Sequence, residues 1–304
     1  MTEPSRSGDD RSAVTILGLG RMGTALAGAL LSAGYRTTVW NRTPGRSADL
    51  VARGAAEAES ATAAVLASPL VLVTLLDYDG VAELLTRTAQ ALPGRTVVNL
   101  TTGTPDQARA MAARWEERGA RYVDGAMMAV PQTVATPEAF FLYSGSREGF
   151  ESHRHVLDRL AAGHYLGPDP AAAELWDTAL LGSGYAALTG FLHGAALLDT
   201  VGVPAARFVP LVTQWLEGIA AFMTDLATEI DSGAYAESFS PVGMNRIAVA
   251  NIVGVSRSQG VDAEVHAPLR ALLDRRVADG HGDDSFASLF ELLRSRAAPW
   301  SGGA

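Results

Sequence analysis

The chain has 304 residues, 48% hydrophobic and 19% charged, which is enough apolar material for two cored domains and too much for a disordered chain. Its formal net charge of −9 disfavours nucleic acid, whose phosphates need a basic face, and points to small-molecule partners. There is no cysteine, and all 24 basic residues are Arg, so disulfides, thiolate chemistry, lysine Schiff bases and lysine general bases are excluded. No run approaches the ~18 uninterrupted apolar residues of a membrane span, and the opening residues lack the apolar stretch of a secretory signal. A cytoplasmic protein without membrane contact is the expectation.

Residues 1–12 are polar and aperiodic and read as a disordered tail. Residues 14–17 then make a short apolar strand, Gly18-Leu19-Gly20-Arg21-Met22-Gly23 is a G-x-G-x-x-G turn, and the alanine-rich stretch 24–33 is a helix closed by Gly34. In such a turn the first glycine permits the bend and the second lets backbone approach a pyrophosphate. The third lets helix pack on strand, with the helix N-terminus facing the anion. The pattern alone also suits an ordinary tight turn; its place between strand and helix, with a second strand over 36–40, makes it a dinucleotide site. An acid about 20 residues past the glycines would take the ribose hydroxyls of NAD. Here Asn41-Arg42-Thr43 stand instead. Arg42 suits a 2′-phosphate, with Asn41 and Thr43 as donors, so NADPH is preferred, the other reading of Arg42 being a solvated loop residue.

The alternation continues with a helix over 46–53, a strand over 70–75, a helix over 81–91, a strand over 96–100, a helix over 105–118 and strands near Tyr122 and Phe140. An alanine-rich run over 55–67 reads as low complexity. The whole is an α/β doubly wound (Rossmann) domain spanning 13–170. Ligands in such sheets sit beyond the carboxyl ends of the strands, which singles out Leu75, Leu76 and Thr101 beside a cofactor and Met128 beside a substrate. Each could equally be a plain loop residue.

Residues 171–200 form one long inter-domain helix, on which Asp177, Leu181, Gly184, Tyr185, Leu188 and Leu192 return to one side. The stripe is expected to be a core face with one carboxyl group in it. Such a group is paired, neutralised by a raised pKa, or used in chemistry; pairing with the helix dipole or an Arg is the plain alternative. Residues 201–297 read as helices alone, over 205–227, 241–260, 267–279 and 284–294, with Asp283 or Asp284 capping the last. A part this apolar suits packing against a second copy. Trp215, Phe222, Met244 and Asn251 are candidates for a substrate pocket or for the core. His193 reads as a satisfied core histidine, no metal site is expected, and residues 298–304 read as a frayed tail.

The stretches GLGRMGTALAGALLSAGYRTTVWNRT, VNLTTGTP, DGAMMAVPQ, LWDTALL and GHGDDSFASLFELL together resemble the NADPH-dependent imine reductases, relatives of the β-hydroxyacid dehydrogenases. The resemblance implies a dinucleotide-binding N-terminal domain, a long inter-domain helix and an all-α, 6-phosphogluconate dehydrogenase-like C-terminal domain. It also implies a homodimer with exchanged C-terminal domains, its site lying between the N-terminal domain of one chain and the C-terminal domain of the other. Asp177 stands where the hydroxyacid relatives carry an acid-base lysine, Tyr185 resembles an aromatic of the substrate pocket, and Leu181 and Gly184 line the same face. Ser183-Gly184 replaces bulkier side chains, which widens the pocket if the helix persists there. The implied activity is reduction of cyclic imines or iminium ions to amines, extending to reductive amination of ketones when the pocket is wide. Two other readings compete: a hydroxyacid-type dehydrogenase using Asp177 or Tyr185, and a non-catalytic NADP(H)-binding protein. The missing lysine weighs against the first and the acid at the site against the second.

Overall fold

The computed structural model describes residues 13–236 and 240–294. The tails expected over 1–12 and 298–304, and the end of the expected helical part, 295–297, lie outside the described residues. Eight strands, β1 (Ala13–Leu17), β2 (Arg36–Trp40), β3 (Ala56–Glu57), β4 (Leu70–Val73), β5 (Thr96–Asn99), β6 (Arg121–Met128), β7 (Phe140–Gly145) and β8 (Ala162–Tyr165), form one sheet in the order β3-β2-β1-β4-β5-β6-β7-β8. Every neighbouring pair is parallel except β6 with β7. The strand order reverses between β1 and β4, and that crevice is where an open α/β sheet takes its ligand.

β1, β4 and β5 are buried along their whole length. A parallel strand covered by helices on both faces has no solvent side, so it reads as a near-unbroken apolar run. Alternation survives in what each side chain packs against. Val14, Ile16, Leu70, Leu72 and Val98 join one core with α1 (Arg21–Ser32) and α6 (Arg147–Leu157); Leu17, Val71, Val73 and Val97 join the other with α4 (Tyr78–Thr88) and α5 (Pro105–Glu116). The remaining helices of this part are α2 (Ala48–Ala52) and α3 (Ala61–Leu66). The alanine-rich run expected to be low complexity holds β3 and α3, the latter begun by Ser60, whose hydroxyl accepts from the Ala63 N–H at 3.1 Å. β3 escaped the sequence reading because two residues carry no pattern, and β8 because Ala-Gly-His-Tyr, half-exposed along its length, lacks the β-branched apolar run that marked β4 and β5.

The chain divides into two compact units between Leu181 and Gly182, inside α7 (Ala171–Asp199). The second unit holds the rest of α7 with α8 (Ala205–Ser232), α9 (Val242–Ser258), α10 (Ala267–Ala278) and α11 (Phe290–Leu293). Its core is small: among the described residues one cluster forms around buried Val242, Val249, Leu273 and Leu289. α7 and α8 touch closely where Phe191 stacks on Phe208 at 5.8 Å and Gly194 leaves room that a Cβ, 2.8 Å from the Phe208 ring, would take. His193 is bonded to Ser256 Oγ at 3.1 Å and to His266 Nε2 at 3.2 Å. The expected Asp283 or Asp284 cap is corrected. Ser285 caps the 3-10 turn Phe286–Leu289 by accepting from Ala287 N–H, while Asp284 accepts from Arg276 at 3.0 Å and is bonded to the His281 ring at 2.9 Å.

The expected core face of α7 is also corrected. Tyr185, Leu188 and Leu192 are 65%, 59% and 64% exposed, and Leu181 and Gly184 are exposed as well. Periodicity states that side chains share a face; it does not state what covers it.

Candidate active site

The glycine turn separates into two jobs. Gly18 has φ +100° and a Cβ there would lie 2.2 Å from the Thr74 carbonyl oxygen, while a Cβ on Gly23 would lie 2.0 Å from the Gly18 carbonyl oxygen and 2.4 Å from Thr74 Oγ1. Those two glycines let β1, α1 and β4 approach one another, and Thr74 locks the arrangement by donating its hydroxyl to Gly18 O at 2.8 Å. A Cβ on Gly20 would meet nothing within 4 Å. Gly20 is therefore open on its Cβ side, unlike the two packed glycines. It begins α1, twelve residues long, with no side-chain cap and no acid in the first turn, so the free N–H groups of Arg21, Met22 and Gly23 face outward at the positive end of the helix.

Around the neighbouring strand ends the polar groups are arranged differently from the sequence expectation. The Asn41 side chain accepts from Leu19 N–H at 2.9 Å and donates to Thr43 O at 2.9 Å, so it ties the loop after β2 to the glycine turn. Thr101, 1% exposed, accepts from Leu75 N–H at 3.0 Å and thereby holds the loop after β4. Leu76 projects outward, 94% exposed. Arg42 is exposed and pairs with Glu83 at 3.2 Å; together with Asn41, Thr43, Leu75, Leu76 and Gly80 these residues line a cavity of about 160 Å³. The donor set fits NADPH: uncapped N–H groups suit a pyrophosphate, the guanidinium suits a 2′-phosphate, and the end of β2 offers no carboxylate to a ribose diol.

Three buried acids lie at the start of α7 and behind it. Asp177 is 5% exposed, Glu174 1% and Asp124, on β6, 0%. Asp177 forms no ion pair and no hydrogen bond among the described residues, and burial raises its pKa. Of the plain alternatives for this residue, an Arg partner is absent among the described residues, and the helix dipole, which acts mainly in the first turn, is weak at the seventh residue of α7. The first turn of α7 is held by Asp169, which accepts from Ala171 N–H at 3.0 Å and takes a two-point contact from Arg109, and by Ser144, whose hydroxyl accepts from Ala173 N–H at 3.0 Å. Glu174 accepts from Gly103 N–H at 3.0 Å, which fastens α7 to the loop after β5. The helix face therefore carries two acids here, not the one expected. Glu174, Asp124 and the tyrosines bonded to them were missed; the one available signal was Glu174 itself, three residues ahead of Asp177.

α7 is helical without interruption through Gly182, Ser183 and Gly184, and a Cβ on either glycine would meet nothing within 4 Å. Met128 is half-buried at the end of β6. In the second unit Trp215, Phe222 and Met244 are 67%, 51% and 53% exposed and Asn251 is exposed too, so none of them is a core residue within this chain.

Comparison with known proteins agrees with these features. Residues 13–167 match the NAD binding domain of 6-phosphogluconate dehydrogenase, and residues 169–295 match the NADPH-dependent reductive aminase-like C-terminal domain. The NADPH-dependent reductive aminase of Aspergillus oryzae is 40% identical over 285 residues, 92% of this chain and 97% of that protein. The chain belongs to the family of NADPH-dependent reductive aminases and imine reductases. Among solved members, the reductive aminase from Aspergillus terreus in complex with NADPH and ethyl-5-oxohexanoate is 42% identical, with a TM-score of 0.88 over 93% of this chain and 99% of that one. The Streptomyces aurantiacus imine reductase is 34% identical, with a TM-score of 0.88 over 93% of this chain and all of that one. Membership places the chain among oxidoreductases, with a Rossmann domain followed by a helical one. No helix among the described residues is long and apolar enough to cross a membrane.

Proposed function

We propose that the protein reduces imines and iminium ions to amines with NADPH, and forms such imines in its site from a ketone and an amine. Asp177, an acid kept dry and free of any partner among the described residues, carries this reading. NADPH, when bound, supplies the hydride that the C=N carbon accepts. Every other requirement falls on the protein. The nitrogen gains electron density as the carbon is reduced, so a neutral imine needs a proton at nitrogen and an iminium ion needs a negative group beside it. Asp177 meets the first need as a neutral acid, which burial favours, and the second as a carboxylate, which the ion pair itself favours. Tyr185 orients the substrate with its ring and hydroxyl, and Gly184 with Ser183 gives bulky ketones and amines room.

Gly20 and the N–H groups at the start of α1 hold the pyrophosphate, Arg42 and Thr43 the 2′-phosphate, and Leu75 and Leu76 cover the adenosine end. Met128, Leu181, Trp215, Phe222, Met244 and Asn251 enclose the substrate once two chains associate. The wide apolar faces of α7 and α8, exposed in the single chain, support a homodimer with exchanged C-terminal domains and a site assembled from residues 13–170 of one chain and 201–297 of the other. The deciding experiment replaces Asp177 with Ala and follows NADPH oxidation on a cyclic imine. A fall of roughly 10²-fold or more is expected for loss of a positioned proton donor; turnover within a few-fold of the parent refutes the reading.

A further inference from the structure

Asp124 and Glu174 are acids that the reaction above leaves without a task. They meet at the hydroxyl of Tyr78, 2.9 Å from Asp124 Oδ1 and 3.3 Å from Glu174 Oε1. A phenol carries one hydrogen and can donate to only one of them. Asp124 Oδ1 also accepts from Tyr122 O–H at 2.7 Å and Asn99 Nδ2 at 3.4 Å, and Glu174 Oε1 from Gly103 N–H. The second oxygen of each carboxyl, Asp124 Oδ2 and Glu174 Oε2, is buried with no hydrogen-bond partner among the described residues. Arg109 on neighbouring α5 is taken by Asp106 and Asp169. Two dry carboxyls that share a single phenolic donor are not ionised together, so the pair retains a proton.

Glu174 also stands three residues before Asp177 on the same helix, a spacing that sets their Cβ atoms about 5–6 Å apart on one side. We propose, resting on the assignment of Asp177 above, that Glu174 is a positioning residue for Asp177: it fastens the first turn of α7 to the loop after β5, and the charge it trades with Asp124 through Tyr78 governs how long Asp177 keeps its proton. When Glu174 is the ionised member, a second charge one turn away is disfavoured and Asp177 stays a donor. When Asp124 takes the charge, Asp177 releases its proton more easily. Burial raises all three acids, and Asp124, which also feels Glu174, is pushed up to about 8.

The test compares pH profiles of kcat/KM for a neutral cyclic imine, which needs protonated Asp177, and for an N-alkyl iminium salt, which needs the carboxylate. Glu174→Gln keeps the acceptor for Gly103 N–H and removes the charge. Both limbs governed by Asp177 then move down by about one pH unit, the size of a like-charge contact at this spacing. Asp124→Asn removes the competitor, leaves the charge on Glu174, and moves the same limbs up. Limbs that coincide with the parent in both variants, whatever happens to Tm, overturn the proposal, since a purely structural clamp changes stability alone. Should one variant fail to fold, the sign of the shift in the other decides. Parent limbs that persist in Asp177→Asn would sink the assignment of Asp177 itself, an outcome separate from limbs that vanish there yet ignore Glu174.

Discussion

The two units handle apolar surface in opposite ways. In the sheet unit β1, β4 and β5 are wholly buried, two continuous cores flank the sheet, and residues as large as Trp115, Tyr122 and Phe150 are 0–1% exposed. Among the described residues of the helical unit, the one buried cluster centres on Val242, Val249, Leu273 and Leu289, α8 has no buried residue, and Leu188, Leu192, Leu211 and Trp215 are each more than half exposed. One unit is closed within its own chain; the other presents the kind of surface that a folded protein ordinarily covers with a partner. The contrast bears directly on the proposed function: it expects cofactor recognition to need one chain and substrate enclosure to need two.

The strongest way to break this comparison is to charge the uncovered face. Leu188→Asp with Leu211→Asp is expected to convert a dimer to a monomer in analytical ultracentrifugation and to abolish turnover while NADPH still binds. A parent that sediments as an active monomer would contradict the proposed assembly. Next in size is Gly18→Ala, which forces a side chain onto a left-handed residue and into the Thr74 carbonyl. A loss of about 3 kcal/mol in urea unfolding is expected from that clash and the strain together. Arg42→Ala should weaken NADPH by roughly 10–100-fold in fluorescence titration, the worth of a charge-assisted contact, and leave NADH nearly unchanged. Gly20→Ala sharpens the division of labour among the glycines: stability should hold within about 0.5 kcal/mol, whereas NADPH affinity falls.

A further prediction concerns pH. Asp124 is raised from an ordinary aspartate value to about 8 by burial and by Glu174, so folding favours its protonated form. The stability this contributes is complete below the unfolded value of about 4 and drains away as pH climbs from there through about 8. Thermal unfolding of Asp124→Asn should therefore depend less on pH than the parent across that window; parallel curves would show that Asp124 does not titrate there.

What was legible in the sequence was local. The strand, glycine turn and helix around Gly18 to Gly23 lie within twenty residues, and their chemistry follows from the order of residue types. Asp177 stood out because an acid in an apolar helix needs a reason. The Tyr78, Asp124 and Glu174 contact was illegible, since it spans 46 and 96 residues and exists only after β6 and α4 take their places around β5. The roles of Asn41 and Thr101 were half legible: their positions at strand ends could be read, but not that Asn41 bonds Leu19 and Thr43 or that Thr101 holds Leu75. The stripe on α7 showed the opposite failure, a face read correctly and its covering misjudged.

The central claim is that the carboxyl of Asp177 governs charge at a substrate nitrogen, and Asp177→Asn tests it with almost no change of shape. In single-turnover experiments with NADPH and a neutral cyclic imine, the account predicts an unaltered NADPH Kd and a hydride-transfer rate lower by roughly 10²-fold or more. A rate equal to the parent's at the same Kd would contradict it.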